Sequence, residues 1–366
     1  MINFTIPGTG SSGHIGGGMI LAILLGPYAA FLVMASVLTV QALFFADGGL
    51  LALGCNIWNL GVYPCFVAWP LIYKPLAGDG RSARRILVAS LASGIVGLQM
   101  GAFSVVLETL LSGKTALPFG TFLLMMQPIH LAIGIVEGFV TAGVINYVRA
   151  TRPEILDSSA SSLPLAAEIP LRNVLIGFVA LAVVTGGALS WFASAHPDGL
   201  EWSIAKVTGK GELPGQEHGV PAALKSVQER TSFLPDYGFK PSSSEPKGKK
   251  EEAPSWPNVD AGTSVSGLVG GALVLAIAFG IGWAIRAFRG YNRPGSPMSF
   301  EAAYSGIGRL DRLSYGDTVV HRLDPRAKVV ATLLFAVVVA GVGTYLRARD
   351  EANALLDRPM RAPWKL

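Results

Sequence analysis

No Asp, Glu, Lys or Arg occurs before Asp47, and the stretch leading to it holds a single histidine, His14. A run that long without formal charge constrains the fold sharply. In lipid every backbone N–H and C=O must be paired internally, which leaves helices and closed barrels. Further apolar runs along the chain approach or exceed the ~20 residues that a membrane helix needs. Hydrophobic residues make up 51% of the 366 and charged residues only 14%, which excludes an ordinary soluble domain. The 44 glycines suit helices that approach one another closely in a bilayer. The expected fold is all-α: a polytopic α-helical integral membrane protein with about eight apolar helices.

The formal net charge is +5. Its Lys and Arg residues cluster at the ends of apolar segments, the positive-inside pattern, so nucleic acid is excluded as a partner. Cys55 and Cys65 lie in one apolar segment and are read as packing residues, too few for a disulfide framework. No signal peptide is visible, because positive charge is missing ahead of the first apolar run.

Residues 1–13 read as a Gly/Ser/Thr-rich loop, followed by a short helix from about Ser11 to Gly26. Pro27 suits the first turn of a second helix reaching about Phe45, and Asp47-Gly48-Gly49 ends it. A third helix is expected over about Gly49–Tyr73. Lys74, Arg81, Arg84 and Arg85 then face a single Asp79, which places that loop in the cytoplasm. A fourth helix spans about Ile86–Leu111 and a fifth about Phe119–Val148, with Arg149 and Arg152 back in the cytoplasm. By this topology His14 lies on the outer side, near the membrane surface.

Residues 151–171 form a Ser/Pro/Ala-rich linker. A sixth helix, about Val174–Ala195, leads outward to His196-Pro197-Asp198-Gly199-Leu200-Glu201. Trp202–Gly262 is polar and rich in Pro, Gly, Ser and Lys, and reads as a flexible external loop. A seventh helix, about Val265–Ile285, returns inward, and another apolar run covers Val329–Val342. Phosphate-cradling loops with Lys-Ser/Thr, nucleophile elbows and HExxH patterns are all missing, so no catalytic centre is expected.

Four groups of residues could carry chemistry. An imidazole at the mouth of a membrane helix suits Ni(II) or Co(II), so His14 is a metal-ligand candidate; the alternative is a satisfied structural histidine. Asn3, Ser11, Ser12, Asn56 and Asn59 could orient that imidazole, or else cap and link helices. Gly16, Gly17 and Gly18 would let a neighbouring helix come close to His14. His130 and Glu137 lie seven residues apart on one face of the fifth helix. They read either as an intramembrane metal or proton station or as a polar clamp, with Gln99 or Gln127 as partners. His218 reads as solvated, and His321 as part of a docking or structural segment.

The blocks NFTIPGTGSSGHIGG, LAILLGPYAA, QALFFADGGLLALGCN and WNLGV closely resemble the cobalt/nickel-binding membrane component of energy-coupling factor transporters, the CbiM/NikM family. The resemblance covers about residues 1–150. His130-Leu-Ala-Ile-Gly-Ile-Val-Glu137 resembles that family's HxxxGxxE segment. Residues 172–290, with the external loop at 202–262, contain PDGLE and resemble the two-helix auxiliary module that accompanies such components. Ser314–Lys328, SYGDTVVHRLDPRAK, resembles the start of a CbiQ-like coupling component, giving a partial segment at 297–345 and a tail at 346–366.

The resemblance implies ATP-driven uptake of Ni(II) or Co(II) across the bacterial cytoplasmic membrane, by a multi-pass component that is not itself an enzyme and needs no cofactor. It further implies a CbiQ-like transmembrane coupling protein and cytoplasmic ATPase subunits as partners. The family holds its metal with the N-terminal amine, a histidine at position two and the histidine of the SGH motif. Only the last carries over here, to His14. The chain begins Met1-Ile2-Asn3 without that second histidine, which reads as a truncated N-terminus. The competing reading is a standalone secondary transporter with a His130/Glu137 proton relay.

Overall fold

The structure is a computed structural model that describes residues 2–113, 117–161, 171–194, 196–210, 219–240 and 257–291. It starts with a hairpin where a loop was expected: strands β1 (Ile2–Ile6) and β2 (Ser11–Ile15) pair antiparallel, with Asn3 opposite His14 and Thr5 opposite Ser12. Gly8 and Gly10 turn the chain at positive φ. Phe4 and Ile6 alternate with Asn3 and Thr5, so one face of the hairpin is apolar. That face packs on Ile129 and Ile133. Among the described residues the hairpin is the exception to otherwise helical regular structure.

Helix α1 is therefore shorter than expected, Gly18–Leu25, and α2 follows as Pro27–Phe44 with Pro27 in its first turn. The expected third helix is composite. A short α3 (Leu53–Ile57) leads into a π-helix over Trp58–Tyr73 and then α4 (Lys74–Ala77). Pro64 and Pro70 each remove an N–H from the ladder, and the chain winds there in the wider form. Gly18 seats α1 against Pro64, since a Cβ there would fall 2.9 Å from the proline ring.

Helices α5 (Ala83–Ser112) and α6 (Phe119–Thr151) form the central pair. A Cβ at Gly134 would lie 2.8 Å from the Cα of Ile95, and one at Gly138 would lie 2.8 Å from the Cα of Leu91. The two backbones touch at that spacing of four, as small residues permit in lipid. Gln99 Nε2 donates to the Gln127 carbonyl at 2.8 Å, and Gln127 Nε2 donates to that of Gln99 at 3.4 Å.

The expected linker opens with a helix, α7 (Pro153–Ser161). Helix α8 (Leu171–Gly187) ends in a 3-10 turn, Leu189–Phe192, followed by the PDGLE segment and α9 (Gly199–Thr208). The loop expected to be flexible also carries α10 (Val220–Thr231) and a short turn at Pro235–Tyr237. These dock on the end of α2. Thr231 Oγ1 donates to the Leu43 carbonyl at 2.8 Å, the Asp236 N–H donates to Phe45 at 2.9 Å, and Phe45 stacks on Tyr237. The Tyr237 hydroxyl donates to Asp47 and accepts from Gln41 Nε2 at 2.8 Å. Burial, and then the Asp47 carboxylate, hold that phenol well above its usual range. Helix α11 (Ala261–Tyr291) closes the described chain. It meets α8 where Ser264 Oγ donates to the Gly187 carbonyl at 2.6 Å and accepts from Trp191 Nε1 at 2.7 Å.

Helices α2, α5, α6 and α11 are long and apolar enough to cross a membrane, and part of α8 is a shorter apolar helix. Phe103, Leu131, Phe139, Phe279 and Trp283 are exposed along them, as lipid contact requires. The protein is a polytopic α-helical membrane protein. The Val329–Val342 run, the partial coupling segment at 297–345, the tail, His218 and His321 lie outside the described residues.

Replacing Gly138 with Val forces a side chain into the Leu91 backbone. The variant is expected to lose about 1–3 kcal/mol by overpacking. Gly143, with open space around its Cβ position, is the control. Thermal unfolding in detergent should show a lower midpoint for Gly138→Val and no decrease for Gly143→Ala.

Candidate metal-capture site

His14 projects from β2 on the same face as Asn3, its cross-strand neighbour, and Ser12. It is half-buried. The hairpin's opposite face meets α6, where a Cβ at Gly13 would fall 2.7 Å from Ile133. Two residues beyond His14, the chain reaches Glu137. The Gly16 N–H donates to Glu137 Oε2 at 3.1 Å, and the N–H groups of Gly17 and Met19 also donate to that carboxylate. Gly17 and Met19 are unpaired donors at the start of α1, whose N-cap, Gly17, has no side chain to serve them, and Gly16 lies just ahead of it. Glu137 is 3% exposed, and a buried carboxylate needs such donors.

Glu137 lies near the middle of the 33-residue α6, about 27 Å from its first residue at 1.5 Å per residue. His14 thus lies two residues before the point where the chain meets the middle of α6. The strand-forming register carries it there: β2 descends along α6, and α1 begins only at that depth.

The PDGLE segment covers the hairpin. The Ser12 N–H donates to the Pro197 carbonyl at 2.8 Å, and the hydroxyls of Ser11 and Ser12 reach the same oxygen at 3.4 and 3.3 Å. Thr5 Oγ1 donates to Ser194 Oγ at 2.8 Å, Asn3 Nδ2 donates to the Ser194 carbonyl at 3.4 Å, and Trp202 Nε1 donates to the Thr9 carbonyl at 2.9 Å. Asp198 caps α9 in a reciprocal capping box with Glu201. Gly199 is required by contact: a Cβ there would lie 2.8 Å from Ile129 and 3.1 Å from the His130 ring.

The remaining expected site residues go elsewhere. His130 Nδ1 bonds the Met126 carbonyl at 2.8 Å, and its ring packs under Gly199. His130 and Glu137 share a face of α6 but lie about 10 Å apart along its axis, each engaged by a different element. Gln99 and Gln127, offered as partners for a polar clamp, bond one another's backbone instead. Asn56 Nδ2 donates to the Gly48 carbonyl at 3.1 Å, and Asn59 Nδ2 donates to Glu108 at 3.2 Å. Of the candidate orienting residues, the structure sets Asn3 beside His14 and places Ser12 two positions along the same strand. Asn3 Oδ1 is buried without a hydrogen-bond partner. Among the described residues no group of three or more His, Cys, Asp or Glu side chains could hold a metal ion. The sequence reading missed the contact between the PDGLE segment and the hairpin. Its capping box was legible in Asp198 and Glu201, but its docking surface was not.

Comparisons with known proteins match two stretches of the chain. Residues 1–155 match the family described as "Cobalt uptake substrate-specific transmembrane region", and residues 172–287 match the PDGLE domain. The chain is 33% identical over 283 residues to a "Putative fused nickel transport protein NikMN" of Archaeoglobus fulgidus, covering 77% of this chain and 80% of the relative. It is 32% identical over 311 residues to the "Fused nickel transport protein NikMN" of Rhodobacter capsulatus, covering 78% and 83%. The "Cobalt transport protein CbiM" of Sorangium cellulosum is 33% identical over 156 residues, covering 42% of this chain and 68% of that protein. No solved structure matches the chain.

Two outcomes are expected from this geometry. Glu137→Ala leaves buried N–H groups unpaired and should cost about 1–3 kcal/mol, with Glu137→Gln costing less because it keeps one acceptor; thermal unfolding separates the two. Gly199→Val should lift Pro197 off β2, read as faster hydrogen exchange at the Ser12 amide.

Proposed function

The chain belongs to the family of fused NikMN transport proteins, and on that premise we propose that it captures Ni(II) or Co(II) for ATP-driven uptake across the bacterial cytoplasmic membrane. His14 is the imidazole donor. Neutral imidazole suits both ions, and selectivity between them lies in geometry and ligand type. Asn3 shares the face of the hairpin that carries His14, and its unpartnered Oδ1 is available to orient the ring or to join the ligand set. The ion enters from outside the cell and is released inward. A CbiQ-like coupling protein and paired ATPase subunits drive that release, since ATP-binding motifs are missing from this sequence.

The observation that carries the reading is the closure of residues 194 and 196–202 over the hairpin that bears His14. An auxiliary module bonded to that strand can hold the imidazole in one orientation, as a transported ion's site requires. The competing secondary-transport reading needs proton passage between His130 and Glu137. Glu137 is occupied by the start of α1, which argues against it.

His14→Ala is expected to abolish Ni(II) and Co(II) binding by the purified full chain, measured by isothermal titration. Unchanged affinity would remove His14 from the ligand set. Uptake in cells should disappear when the partner ATPase is deleted; uptake that persists and collapses with an uncoupler would support the secondary transporter instead.

A further inference from the structure

A second group of donors sits on the seam between the π-helix and α5. Asn59 Nδ2 donates to Glu108 Oε2 at 3.2 Å, and the Cys55 thiol hydrogen-bonds the same carboxylate. Asn59 is 5% exposed, and its Oδ1 is enclosed with no hydrogen-bond partner. Leaving a buried amide oxygen unpaired forfeits its hydration without return, so it marks a position where a partner belongs. Cys55 is exposed, which opens the group to solvent. Cys55 and Asn59 are four residues apart, the spacing that brings side chains onto one helical face.

The group is carried by α3, the π-helix and α5, and His14 by the hairpin. Gln99 pairs with Gln127, so Glu108 lies toward the end of α5 that connects to the start of α6. Gly13 packs on Ile133, on the other side of that pairing. Asn59 itself lies level with Gly101 on α5, where a Cβ would fall 3.1 Å from the Asn59 carbonyl, and its neighbour Leu60 meets Gly18 at the start of α1.

We propose that Cys55, Asn59 and Glu108 form a second cation site, one that takes thiophilic divalent ions of the Co(II), Zn(II) and Cd(II) class. One sulfur, one carboxylate and one amide oxygen make a borderline-soft donor set. Binding displaces the thiol proton, and the thiolate and carboxylate then balance the two charges of the ion. The site rests on these three residues and does not depend on His14 being a ligand.

Co(II) titration of the purified full chain tests it. Thiolate ligation produces sulfur-to-Co(II) charge-transfer absorption, which a nitrogen and oxygen site does not. The band should form in the unaltered protein and in His14→Ala, and vanish in Cys55→Ser. Affinity read from the band should fall at least about tenfold in Glu108→Gln. As an independent readout, Cd(II) should protect Cys55 from maleimide in the unaltered chain and not in Glu108→Gln. A missing band in the unaltered protein, a band that survives Cys55→Ser, or labelling indifferent to Cd(II) would overturn the proposal. Loss of the band only in His14→Ala would do so too, by assigning the ion to one shared site.

Discussion

A buried carboxylate meeting the first turn of a half-length helix sets the arrangement of this protein. Glu137 receives N–H groups from Gly16, Gly17 and Met19. Each side needs the other. The carboxylate lies in an apolar interior where it must be hydrogen-bonded, and α1 begins at a glycine that offers no side-chain acceptor. Because α1 starts at the depth of Glu137, the residues before it must descend the flank of α6 with their backbone groups paired. A β-hairpin satisfies that demand internally, and it carries His14 with it. The Gly94, Gly134 and Gly138 seam keeps α5 against α6, so the wall on which the hairpin rests does not shift.

The PDGLE segment completes what the hairpin leaves open. The outer edge of β2 offers an unpaired N–H at Ser12, and the Pro197 carbonyl takes it. Proline donates no N–H of its own, so at that contact it acts as an acceptor only. Gly199 then lets α9 approach Ile129 and the His130 ring. His130 is best understood here as part of this docking surface. The PDGLE segment and the transmembrane region before it are thus packed together in this chain, joined at the strand that bears His14.

The membrane-spanning helices and the charge pattern between them were legible because hydropathy and the Lys74–Arg85 cluster act locally. Family-like blocks around His14 and the PDGLE residues were legible as strings. The hairpin was not: the Gly/Ser-rich stretch lacks a strong strand signal, and its alternation of Phe4 and Ile6 acquires meaning only against Ile129 and Ile133. The 219–240 region read as a polar loop because its anchors, Thr231, Asp236 and Tyr237, are few and their partners lie nearly 190 residues earlier at the end of α2. Asn56 and Asn59 looked like neighbours of His14 by motif, yet their amides serve Gly48 and Glu108.

The sequence by itself determined that this chain lives in a bilayer, which segments are apolar enough to cross it, and which transport family it resembles. Those properties follow from composition summed over short windows. Only the tertiary structure decided that His14 rides on a hairpin strand, that Glu137 takes the N–H groups at the start of α1, and that residues 194 and 196–202 lie over that hairpin. Those outcomes depend on pairing buried polar groups across long separations, and such pairing has no local signature.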